Sequence, residues 1–444
     1  MGYGSSGKKP IEFAGKTGHS DFIDEESRQF LSECYIPQEN FNLDGFKDYF
    51  YSLKKEGGGI NYVVAIDGGY SEATVKRFPS SKVMAVQIGA LLIDFKKIKG
   101  LEEKTFISPE EMNNIKDTSK SKFILPVRNI MNHNYDSFTK FVRETIFKFF
   151  IEENFNLASA LKWLIFREFY ESPVDEWNLA THPIDRNKKD VKLRRSDFKD
   201  YIINVDGGQI YITDVLRLHE RIDDDTGSEG VVDYLLSAIE QILMISIIKE
   251  IYAINPCKLS EFLFILDRPL AFFGQTANLH KPMREMISYF ISNNIDLNMV
   301  GIEKNGPFVE HARVLTEEEV LEKGKYILLN NDYIYRNILP RSYNNSSLYG
   351  ETTYYGGKLI FNSNYGNVSV CTVPVKDYNN NIINPHPESF VNLNNILSII
   401  EDLKCDMYEN AILPITLVNN AVSISKYPGG ASLQRLVRDI LCRH

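Results

Sequence analysis

Two short apolar runs in this chain each end in a single aspartate. Val63, Val64, Ala65 and Ile66 lead to Asp67, and Phe262 to Leu266 lead to Asp267. Runs of β-branched, aliphatic and aromatic residues of this length read as buried strands, so each is expected to deliver one carboxylate at a strand end. Hard oxygen donors brought together in this way suit a divalent metal ion. Gly68 and Gly69 follow the first acid and read as a turn, with Val83 to Phe95 returning as the antiparallel partner. Asp67 as no more than the cap of that turn is the competing reading.

A third acid falls on a helix predicted from Val231 to about Tyr252. Glu240 has Leu236, Leu243 and Met244 at three- and four-residue spacing, so it sits against apolar neighbours. A lone carboxylate there needs a partner, and a metal ion is one candidate. Glu250, nearer the helix end, is the competing acid. Another apolar run, 298 to 303, ends in Glu303 followed by Lys304, which puts an acid and a base together at a third strand end.

The elements that must position these groups fall into four stretches. Residues 1 to 58 comprise a Gly-, Ser- and Lys-rich arm, residues 1 to 20, then short helical patterns up to the glycines at 57 to 59. The arm reads either as a segment that folds on a partner or as a plain tail. Residues 59 to 100 hold the first strand pair. Residues 101 to 208 read as a helical insertion, with apolar and aromatic residues at helical spacing over 138 to 150 and 157 to 170. Its basic cluster of Lys188, Lys189, Lys192, Arg194 and Arg195 is either a set of phosphate contacts or a solvated face. Residues 209 to 444 carry the other acids, a hairpin over 356 to 375, a helix over 392 to 403, a strand at Ala411 to Val418 and a last helix at 431 to 442. The acidic triplet Asp223 to Asp225 lacks EF-hand spacing and reads as a negatively charged helix entrance.

Composition narrows the class. A hydrophobic content of 43% and a charged content of 25% are those of a globular protein with a sizeable core. The formal net charge of −9 argues against non-specific coating of nucleic acid but leaves room for a local basic groove. The 5 cysteines form no closely spaced pair, which fits reduced thiols and gives no zinc signature. No apolar run reads as long enough to span a membrane and no signal peptide is evident, so a soluble, cytoplasmic protein is expected.

Taken in order, several pieces resemble the NurA family of nucleases. They are Val64-Ala65-Ile66-Asp67-Gly68-Gly69, the helix bearing Glu240, Phe264 to Leu270, Gly301-Ile302-Glu303-Lys304, Tyr354 to Phe361, and Ser425 to Gln434 with Tyr427-Pro428. The resemblance spans roughly residues 60 to 444. It implies an α/β fold, an RNase H-like mixed sheet flanked by helices, here with a helical insertion. It also implies a Mn2+- or Mg2+-dependent DNA nuclease, with Asp67, Glu240 and Asp267 as metal ligands and Lys304 and Tyr427 as further catalytic residues. The partners implied are DNA and a hexameric HerA-type ATPase that translocates DNA, with the nuclease as a homodimer, in DNA end processing or anti-phage defence. Two departures stand out. Arg268 and Pro269 follow Asp267 where the family has Gly-Ser, and Gln434 and Arg435 follow Tyr427-Pro428 where it has a histidine. A catalytically weakened DNA-binding scaffold subunit of the ATPase complex is the alternative these departures raise.

Overall fold

The computed structural model describes residues 25–34, 46–55, 58–99, 116–152, 154–339, 347–405 and 412–423. The chain divides into two compact units, residues 1–44 and 45–444. Within the first, the described element is helix α1 (Glu25–Glu33). The arm at 1 to 20, Tyr427 and the helix expected at 431 to 442 lie outside the described residues.

The second unit is built on a nine-stranded mixed sheet. Strands β1 (Phe50–Ser52), β2 (Tyr62–Lys76), β3 (Ser81–Asp94) and β4 (Lys116–Arg128) come first along the chain. Hairpins β5 (Glu176–Thr181) with β6 (Lys189–Arg194), and β7 (Ile202–Val205) with β8 (Gly208–Tyr211), stand apart from the sheet. Strands β9 (Phe262–Leu266), β10 (Asn298–Glu303), β11 (Lys325–Leu328), β12 (Gly356–Asn362) and β13 (Val368–Pro374) complete it. The order across the sheet is β1-β11-β12-β13-β10-β9-β2-β3-β4. Within it, β2, β3 and β4 form an antiparallel meander, while β9 and β10 run parallel to β2. This is a large mixed sheet flanked by helices, the α/β architecture expected.

Helices α2 (Phe138–Phe150) and α3 (Leu157–Ile165) pack their apolar stripes into one large core with α4 (Val232–Ile254) and α5 (His280–Ser292). Farther along come α6 (Pro307–Glu317), α7 (Leu393–Asp402) and α8 (Leu413–Val422). Helix α4 packs on β2, β3 and β9, and α8 packs on β2, β3 and β4.

Four expectations are corrected. Gly68 and Gly69 do not turn the chain: β2 runs on to Lys76 with Gly68 paired to Ile88 and Gly69 to Gln87, and the turn falls at residues 77 to 80. Glycine in a strand permits close approach from outside the sheet as well as a turn, and here it does the former. The stretch 101 to 208 is not simply a helical insertion, because β4 extends the meander and two hairpins follow. Over its described residues, the strand expected at Ala411 to Val418 is not formed; Leu413–Val422 is helical with Pro414 in its first turn, where a missing N–H costs nothing. Finally, Glu229–Ile254 is long and apolar enough to cross a membrane, with a mean hydropathy of 1.8, but 78% of that window is buried within the fold, as befits a core helix.

Candidate active site

Strand alternation decides which groups meet. Along β2, Val64 and Ile66 belong to the core that α4 completes, and Gly68 continues that row. A Cβ on Gly68 would stand 2.6 Å from Leu236 Cδ1 and 3.0 Å from Glu240 Oε1, so the glycine is what admits α4 and its glutamate so near the strand. Asp67 and Gly69 occupy the alternate row. A Cβ on Gly69 would meet the Val422 carbonyl at 3.3 Å, and one on Gly89, the cross-strand partner of Asp67, would meet Val422 Cγ1 at 2.7 Å. Asp67 therefore belongs to the face covered by α8, which Gln87 Nε2 ties down by donating to the Ala421 carbonyl at 3.1 Å.

The same alternation holds on β9. Its last residues run beside β2, with Ile66 opposite Leu266, so Asp67 and Asp267 follow at the same step of two parallel strands. Phe264 and Leu266 join the α4 core, and past the end of β9 the chain bends, with the charge of Asp267 acting on Asp67 and Arg268 reaching Glu240 on α4. Arg268 Nη2 donates to Glu240 Oε1 at 2.8 Å, and its Nε donates to Oε2. Lys304, just past the end of β10, donates to Asp267 Oδ2. Two ion pairs thus stand at one end of the sheet, Asp267–Lys304 beside Asp67 and Glu240–Arg268 beneath them.

The turn that carries Asp267 and Arg268 is held from behind. Gly301 on β10 lies directly against it, since a Cβ there would be 2.3 Å from the Arg268 carbonyl and 2.7 Å from Leu270 N. Gln241 on α4 donates to the Ala271 carbonyl at 3.0 Å and accepts from the buried Tyr355 hydroxyl at 2.8 Å. Gly301 and Gln241 have no chemical signature in the sequence, because their role depends on which segments cross in space.

Burial sets the electrostatics. Asp67 is pushed up to about 6, first by burial and then by the negative charge of Asp267, against the Gly68 N–H that donates to its Oδ1 at 2.8 Å. Burial also raises Asp267, opposed by Lys304. Glu240 is 1% exposed and is pushed up to about 7 by burial, with Arg268 pulling against it. Burial works against the Arg268 guanidinium, but Glu240 outweighs it and holds the group above its ordinary range. Asp267 Oδ1 is buried with no hydrogen-bond partner among the described residues.

The remaining sequence candidates fall elsewhere. Glu250 lies near the exposed end of α4, 3.4 Å from Asn156 Nδ2. Glu303 pairs at 2.7 Å with Lys358, which is buried over the Phe308 ring. In the basic cluster, Lys188 faces Asp185, Lys192 and Arg194 both face Glu176, and Arg195 faces Asp175, which favours a solvated, internally neutralised face. In the acidic triplet, Asp223 accepts from Asp225 N and Thr226 N, and Asp224 accepts from Thr139.

No family model matches the chain, and no curated relative matches it. Among solved structures it is similar to the NurA nuclease from Sulfolobus solfataricus, at 12% identity, 96% coverage of each chain and a TM-score of 0.37. It is also similar to a second NurA structure, at 12% identity, 95% coverage of this chain and 97% of the other, and a TM-score of 0.32. Both are NurA proteins.

Whether the site suits a divalent cation is decided by its oxygens. Among the described residues, no three His, Cys, Asp or Glu side chains are placed to hold one ion between them. Asp67 and Asp267 nonetheless fit a hard cation as a pair, because they follow the same step of two paired strands, the charge of Asp267 acts on Asp67, and Oδ1 of Asp267 is buried with no partner among the described residues. Glu240 does not fit, since both of its oxygens are taken by Arg268.

Proposed function

We propose that this protein is a metal-dependent DNA nuclease of the NurA kind. The observation that carries the reading is the pairing of Ile66 with Leu266, which brings Asp67 and Asp267 to the same end of the sheet. Asp67 and Asp267 would hold one Mn2+ or Mg2+. When bound, the ion supplies Lewis acidity toward a phosphodiester and lowers the pKa of a bound water. Lys304 holds Asp267 Oδ2, Oδ1 would be the oxygen available to hold a cation, and the Lys304 ammonium, with its side chain 47% exposed, would be open to a DNA phosphate.

The working assembly is a homodimer set on a hexameric HerA-type translocase that feeds it DNA, in end processing or anti-phage defence. Its support is the order of motifs in the sequence, from Val64-Ala65-Ile66-Asp67 to Tyr427-Pro428. The test is digestion of linear DNA by the purified full-length chain with Mn2+, with Mg2+ and with EDTA, beside Asp267→Asn. Cutting that needs the cation and is lost in a folded Asp267→Asn protein supports the reading. Cutting that persists in EDTA, or in that variant, refutes it. Co-purification with a hexameric ATPase tests the partner separately.

A further inference from the structure

Resting on the metal-dependent reading above, we infer that the centre takes a single divalent ion on Asp67 and Asp267, and that Glu240 belongs to a separate internal ion pair with Arg268. Glu240 is among the most deeply buried acids of the described residues, yet its surroundings oppose a ligand role. Gly68, whose absent side chain makes room for Glu240, stands in the row of β2 that alternates with Asp67. The carboxylate thus approaches the strand from the α4 side, whereas Asp67 stands in the row of β2 that α8 covers, and the charges of Asp67 and Asp267 reach Glu240 without sharing its Arg268 partner.

Arg268 completes the separation. A guanidinium presents two parallel donors matched to a carboxylate, and it stays charged at any working pH. With Nη2 on Oε1 at 2.8 Å and Nε on Oε2, it takes both oxygens of Glu240. An ion binding there would have to displace a fixed positive charge that Gly301 and Gln241 hold in place through the turn behind it. Two divalent ions about 4 Å apart are normally bridged and flanked by several carboxylates. Among the described residues, two stand at this end of the sheet outside the Glu240–Arg268 pair, and Lys304 neutralises one of them. The charge that these two leave suits one divalent ion. Arg268 and Lys304 are, in effect, the resident cations of a site with room for one more.

The experiment counts ions. Full-length wild-type protein, freed of metal and titrated with Mn2+, is read by electron paramagnetic resonance and by equilibrium dialysis. One Mn2+ per chain with an uncoupled spectrum is expected. Two per chain, or a spin-coupled pair, overturns the inference while leaving the nuclease reading intact. No Mn2+ bound at all overturns the nuclease reading itself. The paired variant Glu240→Met/Arg268→Met removes both charges together and so avoids stranding either one. It is expected to bind one Mn2+ within about twofold of wild-type affinity, whereas Asp67→Asn weakens binding at least tenfold. Loss of Mn2+ from a folded paired variant, judged by circular dichroism, would place Glu240 among the ligands after all.

Discussion

Asp67 and Asp267 leave neighbouring parallel strands at the same step, one residue past the pair Ile66 and Leu266. Two carboxylates so placed repel one another and lose solvent, which is why Asp67 is pushed up to about 6. Function and stability therefore pull in opposite directions at this position.

Asp67→Asn is expected to abolish cation-dependent cutting while making the metal-free protein more stable at pH 8, by roughly 1 to 3 kcal/mol on the usual conversion of a two-unit shift. Urea unfolding with a nuclease assay on the same preparation checks both. A variant that is less stable than wild type would show that Asp67 is held by attractions rather than tolerated for its chemistry.

Gly301→Ala is expected to be among the most damaging single-methyl additions in the protein. The new Cβ meets the Arg268 carbonyl at 2.3 Å and Leu270 N at 2.7 Å, and backbone cannot rotate away as a side chain can. A loss of about 2 to 4 kcal/mol is expected, with reduced cutting in the fraction that folds. Gly230→Ala, where an added Cβ has nothing within 4 Å, is the control.

His311 supplies a pH dependence away from the acids. Burial holds its imidazole down at about 4, with Nε2 2.8 Å from the Tyr333 hydroxyl. A histidine whose folded value lies below its unfolded value of 6.5 contributes stability that is complete above pH 6.5. That contribution is lost as pH falls toward 4, because the unfolded chain takes up the proton first. The expected loss over this window is about 3 kcal/mol. Denaturant melts of wild type and His311→Gln at pH 7.5 and 4.5 should differ by that amount, and parallel curves would count against it.

Lys358 and Glu303 form a buried pair, with side chains 2% and 11% exposed. Lys358→Met strands the glutamate and should cost about 3 to 5 kcal/mol, while Lys358→Met/Glu303→Gln should recover most of it. A thermal-melt double-mutant cycle measures the recovery, and strictly additive effects would remove the coupling.

The sequence made the two strand-end acids legible because each closes a run apolar enough to be buried, whatever happens beyond it. It hid the path of β2 past Gly68 and Gly69, since glycines mid-strand look the same as glycines in a turn until a helix is seen packed against them. Strand β4 was obscured by Lys120, Ser121 and Lys122, polar residues on an edge where one side of the strand meets water. In α8, Ile415, Thr416 and Val418 favour a strand by propensity, and packing on β2 and β3 overrides it. Glu240 was found by its apolar neighbours, but a helix apolar on every side says nothing about which face of the sheet its acid meets. Arg268 was noticed only as a cation able to touch phosphate. Its pairing depends on a contact 28 positions away.

The pairing of β2 with β9 also governs when the centre can exist. Asn61 and Glu261, which hydrogen-bond at the base of these strands, are 200 positions apart. A chain emerging from the ribosome presents the first acid long before the second. Parallel pairing over so long a loop is slow and comes late in folding. Chains that stop before β9 consequently carry only one of the two strand-end acids. By this delay the pair of acids is not assembled until synthesis has passed the point where the second strand can dock.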